Sequence, residues 1–305
     1  MAKNVQQLEV KNSRLLHRNQ LIRFDMEYVT LNNGVKMPML GYGVYQVDAA
    51  ECERCVADAI RVGYRLIDTA QAYGNEEGVG NAVAKSGIAR SEFFLVTKVW
   101  ISNAGYEKAK ASIEESLEKL RTKYIDLLLI HQPFGDYYGT YRAMQEAYRE
   151  GKVRAVGVSN FYPDRLIDLQ EHVEVKPAVN QVENHVFFQQ AEARQYMRKY
   201  HCQPMSWGPF AEGRNSFFTN GTLKSIGEKY GKSIAQVALR YLLQQGTVVI
   251  PKSTHVERME QNFDIFDFAL SEGDMEEIAK LDTGKSLFFH HTEPAVVEQF
   301  MIWGK

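Results

Sequence analysis

"RLIDTAQAYGNEEGVG", residues 65–80, reads as a short apolar strand, a loop and the start of a helix. The strand ends on Asp68 and the loop carries Tyr73, so one small unit holds a carboxylate and a phenol. Glu76 and Glu77 stand at the helix start, where negative charge is favoured. Gly74 and Asn75 are expected only to turn the chain.

The same strand, loop and helix unit recurs along the chain. Strand-like runs lie at 40–45, 65–68, 93–99, 124–130, 153–158, 178–182, 203–207 and 247–250. Helical patterns lie between them at 49–62, 106–121, 140–150, 163–172, 189–200, 222–230 and 233–245, with apolar residues at three- and four-residue steps. Gly63, Gly151 and Gly231 sit where helix-ending glycines belong. Ahead of these units, "YVTLNNGVKMPMLGYGVY" (28–45) is a hairpin signal, with Asn32, Asn33 and Gly34 in the turn. Eight strands alternating with helices, without a low-complexity break, predict an α/β fold: a (β/α)8 TIM barrel with an N-terminal β-hairpin. The barrel is expected to be one domain over residues 26–305. An open doubly wound sheet is disfavoured, because "GYGV" (41–44) has only part of a glycine-rich dinucleotide fingerprint and no helix opens after it.

The 305 residues are 45% hydrophobic and 24% charged, with a formal net charge of −2. That balance gives no reason to expect nucleic acid or an anionic membrane as partner. No apolar run approaches the roughly 20 residues of a membrane span. The three cysteines fit a reducing, cytoplasmic setting rather than a disulfide framework. Cys52 and Cys55 form a CxxC, but it lies inside a helical pattern and no second metal-spaced pair follows. Residues 1–25 carry Lys3, Lys11, Arg14, Arg18 and Arg23 against Glu9 and Asp25, and lack the apolar core of a secretory signal. They are read as an N-terminal extension of unassigned role.

A barrel places its active residues at the C-terminal ends of its strands. The second strand ends at Asp68, with Tyr73 in its loop. The third, "FFLVTKVW" (93–100), places Lys98 and Trp100 at the mouth. The fourth, "IDLLLIHQP" (125–133), places His131 there. The fifth ends on Ser159 and Asn160, and the sixth carries Gln181. Singly, Asp68 could be a helix cap, Tyr73 packing and His131 a core histidine. A lysine inside an apolar strand needs a partner. Together, at equivalent heights on neighbouring strands, they suit carbonyl reduction. Hydride passes from a nicotinamide to the carbonyl carbon, and Tyr73 supplies the proton to oxygen. Lys98 is expected to lower the tyrosine pKa, Asp68 to hold the ammonium, and His131 to orient the carbonyl. No metal is required.

With these residues in view, the chain resembles the aldo-keto reductases from about Met26 to its end. The motifs are "RLIDTAQAYGNEEGVG", "FFLVTKVW", "IDLLLIHQP", "RAVGVSNF" and "VIPKSTHVERMEQNF". The resemblance implies a (β/α)8 barrel that binds extended NADPH, with a tetrad of Asp68, Tyr73, Lys98 and His131. It implies that Ser159, Asn160 and Gln181 hold the nicotinamide carboxamide and that Trp207 stacks on the ring, where many members carry Tyr. Gly43 joins the cofactor set. Lys252, Ser253, Thr254, Arg258, Gln261 and Asn262 would grip the adenosine end. Independently, that stretch follows the eighth strand and opens a helix, a favourable place for phosphate. Lys252 and Arg258 add charge suited to a 2′-phosphate, which predicts NADPH over NADH.

Tyr45, Trp100, Phe134, Tyr137, Tyr138 and Trp303 are candidates for a pocket around a small carbonyl substrate, or for packing. The chain looks most like short-looped bacterial members such as diketogluconate and methylglyoxal reductases, and the family suggests a monomer. Two other functions remain open. One is a cofactor-binding sensor or subunit of the same fold, which would have no need of the proton donor. The other is a phosphate-handling barrel, which would need more carboxylates at strand ends than Asp68.

Overall fold

A computed structural model describes residues 26–304. The reading of residues 1–25 therefore lies outside the described residues. Strands β1 (Tyr28–Thr30) and β2 (Lys36–Pro38) form the antiparallel hairpin, with Val29 opposite Met37. Its turn is tied beneath the barrel: Asn33 donates to the Arg154 carbonyl at 2.9 Å and Asn32 to that of Pro177 at 3.1 Å. Both carbonyls precede strands of the barrel, so the hairpin sits at the end opposite the mouth.

The barrel strands are β3 (Gly41–Gly43), β4 (Leu66–Asp68), β5 (Phe94–Val99), β6 (Leu127–Ile130), β7 (Val156–Ser159), β8 (Val179–Glu183), β9 (Gln203–Trp207) and β10 (Val248–Val249). They pair in parallel, in chain order. Leu40 bridges Val249, and the Val249 amide donates to the Met39 carbonyl at 2.9 Å, which brings the last strand back to the first. All residues of β4 through β8 are buried, as expected of strands covered on both faces.

Helices α1 (Ala49–Val62), α2 (Glu76–Lys85), α3 (Tyr106–Lys119), α4 (Tyr137–Arg149), α5 (Pro163–His172), α6 (Ala191–Lys199), α7 (Gly221–Tyr230), α8 (Ile234–Gln244) and α9 (Val256–Phe263) alternate with the strands or follow them. Two more, α10 (Glu272–Ala279) and α11 (Pro294–Trp303), complete the chain and were not marked by the sequence pattern. Local chemistry explains the shifted boundaries. β6 starts at Leu127 and not at 124, because the buried Asp126 carboxylate accepts from the Leu95 amide at 2.9 Å and from Arg90 and Arg154 at 2.7 Å each. α4 starts early because Asp136 caps it, accepting from the Gly139 amide at 2.7 Å. Tyr137 and Tyr138 therefore lie in a helical first turn.

Candidate active site

Register explains how the strand ends meet. Asp68 lies opposite Val96, and Lys98 is two residues further along β5; Lys98 lies opposite Leu129, and His131 is two further along. The groups are therefore staggered by two residues per strand, not level as expected. Strand tilt produces the stagger, and the two-residue step keeps each side chain on the inner face.

Lys98 is 0% exposed, and its ammonium has three neighbours. It donates to Asp68 Oδ1 at 2.6 Å, to the Thr69 carbonyl at 2.7 Å and to the Tyr73 hydroxyl at 3.4 Å. Asp68 Oδ2 accepts from Gln181 Nε2 at 2.8 Å. Asp68 thus joins β5 to β8 across the barrel. Desolvation raises the Asp68 pKa and lowers that of Lys98, and each charge holds the other against it.

Tyr73 ends a single 3-10 turn, Gln71–Tyr73. Gln71 pins that turn: its Oε1 accepts from the Trp100 amide and from Asn103, both at 2.9 Å. Gly74, at φ 67°, then reverses the chain. Asn75 does more than turn it. Its buried side chain accepts from Thr69 at 2.8 Å and donates to the Val44 and Val47 carbonyls at 3.0 and 3.1 Å. Glu76 opens α2 but turns inward, accepting from Thr97 at 2.6 Å, while Glu77 stays exposed. The sequence reading missed both inward contacts, since an acidic helix start looks the same whether it faces water or a strand.

The expected lowering of the Tyr73 pKa by Lys98 does not occur here. Burial, then Asp68 and Tyr45, push the phenol well above its ordinary value. The nearer partner of the ammonium is Asp68, at 2.6 Å against 3.4 Å for the phenol. His131 packs edge-on to Tyr73 at 5.5 Å and to Trp100 at 5.0 Å between ring centroids. Desolvation, then Lys98 and His291, hold it well below the ordinary histidine value, so the imidazole is neutral. Its Nδ1 is buried and has no hydrogen-bond partner among the described residues.

Beside this cluster, Asn160 turns the end of β7 at φ 62°, a conformation asparagine tolerates. Its Nδ2 donates to Ser159 Oγ at 3.1 Å and to the His131 carbonyl at 3.2 Å, and its Oδ1 accepts from Trp207 Nε1 at 2.8 Å. Ser159 Oγ donates to the Gln181 carbonyl at 2.8 Å. Gly43 lies where a Cβ would stand 2.9 Å from the Ile250 carbonyl oxygen, which joins β3 closely to the end of β10. Around the α9 start, Ser253 is buried and its carbonyl accepts from Tyr42 at 2.6 Å. Asn262 is also buried, Thr254 is half-buried, and Gln261 is exposed. Lys252 and Arg258 are exposed and make no ion pair among the described residues.

Of the aromatic candidates, Tyr45 faces Tyr73 at 5.1 Å between ring centroids, and Trp100 Nε1 donates to the Trp303 carbonyl at 3.3 Å. Phe134 packs on Phe300 and His291. The ring neighbours of Tyr137 are Tyr138 and Phe161, and Tyr138 donates to Asp168 at 2.6 Å. The sequence reading passed over the tail before Trp303. Phe288 and Phe289 pack against Trp207, at 5.2 and 6.3 Å, and Phe300 packs against Trp100 and Phe289. No regular spacing marks that contact in the sequence.

The model of the Aldo/keto reductase family matches residues 37–283. The chain belongs to this family. It is 47% identical to glyoxal reductase from Bacillus subtilis over 256 residues, covering 83% of this chain and 92% of that protein. It is 39% identical to methylglyoxal reductase DkgA from Escherichia coli, over 85% of this chain and 94% of that one. A crystal structure of a Gox0644 mutant in complex with NADPH superposes with a TM-score of 0.82 at 36% identity, over 87% of this chain and 96% of that one. No helix among the described residues of this aldo-keto reductase is long and apolar enough to cross a membrane.

Proposed function

We propose that this aldo-keto reductase reduces aldehydes and ketones to alcohols with NADPH, with Tyr73 as the proton donor. The observation that carries the reading is the Tyr73 hydroxyl at the barrel mouth, 3.4 Å from an ammonium that Asp68 locks in place. The raised phenol pKa keeps the proton on oxygen at neutral pH, so the acid is present whenever a carbonyl arrives. Neutral His131 adds no competing charge and can donate to the carbonyl oxygen. As negative charge develops on that oxygen, the Lys98 ammonium beside Tyr73 favours passing the phenolic proton forward.

The residues present fit the cofactor. Asn160, Ser159 and Gln181 offer amide and hydroxyl groups suited to a carboxamide, and Trp207 offers a ring face. Gly43 lets β3 approach the end of β10 closely, at the edge of this site. Arg258 lies in the first turn of α9 and Lys252 four residues before the helix, neither in an ion pair among the described residues, so a 2′-phosphate there would gain both their charge and the helix dipole. NADPH would supply the hydride, and the chain's own groups position the carbonyl and hold its proton. The name of the Bacillus subtilis relative makes small dicarbonyls the first substrates to try.

The test is NADPH oxidation against glyoxal, methylglyoxal, simple aldehydes, keto-sugars and ketosteroids. Turnover with at least one carbonyl class is expected. A flat response across the panel, with NADPH still bound, would instead favour a sensor of the same fold.

A further inference from the structure

A polar relay runs from the C-terminal tail into the proposed nicotinamide site. His291 is 2% exposed and lies outside the motifs read from the sequence. Its Nε2 is 2.8 Å from Gln132 Oε1. The same Gln132 oxygen accepts from Asn160 Nδ2 at 3.3 Å, and Asn160 Oδ1 accepts from Trp207 Nε1. On its other side, His291 Nδ1 is 3.3 Å from the Tyr162 hydroxyl, which accepts from the His291 backbone N–H at 3.2 Å.

Donors and acceptors match in one arrangement. Indole Nε1 can only donate, so Asn160 must present its oxygen to Trp207 and its nitrogen to Gln132. Gln132 must then turn its oxygen toward both Asn160 and His291. His291 Nε2 therefore carries the proton, and Nδ1 accepts from Tyr162. The imidazole is neutral, as its burial against Phe134 and Phe300 favours. Trp207, Ser159 Oγ and the His131 carbonyl hold the Asn160 end of the amide chain, and His291 holds the Gln132 end. Without the His291 donor, Gln132 is held from one side only.

We propose that His291 is a positioning residue for cofactor binding, acting through Gln132 to set the orientation in which Asn160 meets the nicotinamide carboxamide. This rests on the reading of Ser159, Asn160 and Gln181 as the carboxamide site. It gives the tail a task beyond covering the mouth, since tail docking and the cofactor site share one hydrogen-bonded chain.

The test measures NADPH binding to the full chain by calorimetry, together with the change in tryptophan fluorescence on binding. His291→Leu is expected to raise the NADPH Kd about tenfold, the size of one lost hydrogen bond in a buried chain. His291→Gln keeps an N–H near the Nε2 position and is expected to stay within about threefold of the parent. Should His291→Leu not fold, Gln132→Leu removes that link together with the one to Asn160 and is expected to give at least the same loss. An unchanged Kd in the leucine variant that is read would overturn the proposal. Equal losses for His291→Leu and His291→Gln would also overturn it, because tail packing alone would then explain both. If the parent chain binds no NADPH, the cofactor reading itself fails, a result distinct from either of these.

Discussion

Lys98 Nζ lies 2.6 Å from Asp68 Oδ1 and 3.4 Å from the Tyr73 hydroxyl, so the ammonium is committed to the carboxylate before the phenol. Both charges are buried, and neither would be stable there without the other. The pair places a positive charge at the proton donor without leaving it free to move.

Tyr73→Phe removes the proton and leaves the ring packing against Tyr45 and His131. Carbonyl reduction is expected to fall by at least about a hundredfold, the usual worth of a positioned acid. NADPH affinity is expected to stay within about threefold. Steady-state kinetics and a binding titration check both, and turnover within a few-fold of the parent would remove Tyr73 from the role of acid.

Lys98→Met leaves Asp68 buried without its ammonium. Breaking such a pair costs about 3–5 kcal/mol. Adding Asp68→Asn to Lys98→Met is expected to recover most of that stability and none of the activity. Urea denaturation of the parent, the single and the double variant checks this. A double variant no more stable than the single would mean the pair is not the main cause of the loss.

Burial holds His131 well below the ordinary histidine value, and takes His291 down to about 3. In the unfolded chain both would take protons below about pH 6.5. The unfolded state therefore binds more protons in that range, and stability falls as pH falls from about 6.5 toward 3. Above pH 6.5 neither group contributes. Each histidine adds a slope approaching about 1.4 kcal/mol per pH unit. His291→Gln is expected to flatten the parent's decline between pH 6 and 4 by about that amount, measured by denaturation at several pH values. Parallel curves would mean that His291 is not held neutral.

Replacing Lys252 and Arg258 with alanine is expected to weaken NADPH by about ten- to a hundredfold, from loss of charge-assisted bonds to a phosphate. NADH affinity is expected to change less than about threefold. Parallel titrations with the two cofactors decide it, and equal losses would sink the 2′-phosphate assignment.

The alternation of runs made the barrel legible, and the hairpin was legible from Asn32, Asn33 and Gly34 between two short strands. α1 and α5 keep the boundaries read from periodicity, 49–62 and 163–172. The barrel rule then turned strand ends into candidate site residues, and Asp68, Tyr73, Lys98 and His131 do meet at one mouth. Their heights were not legible, because stagger comes from strand tilt and leaves no mark in any single strand. Asp126 was likewise misread as part of a strand. Its carboxylate takes a strand amide and two arginines that lie elsewhere in the chain.

What the sequence by itself determined is the kind of group at each position: a phenol in a loop, a lysine in an apolar strand, a histidine where the next strand stops. Covalent identity and periodicity are local, so they can be read from neighbours along the chain. Tertiary structure alone decided the state of those groups. Burial raised the Tyr73 pKa where a nearby ammonium was expected to lower it. Folding also joined His291 to Gln132 across 159 residues of chain. Desolvation and hydrogen bonding depend on what surrounds an atom in space, and a linear reading does not contain that.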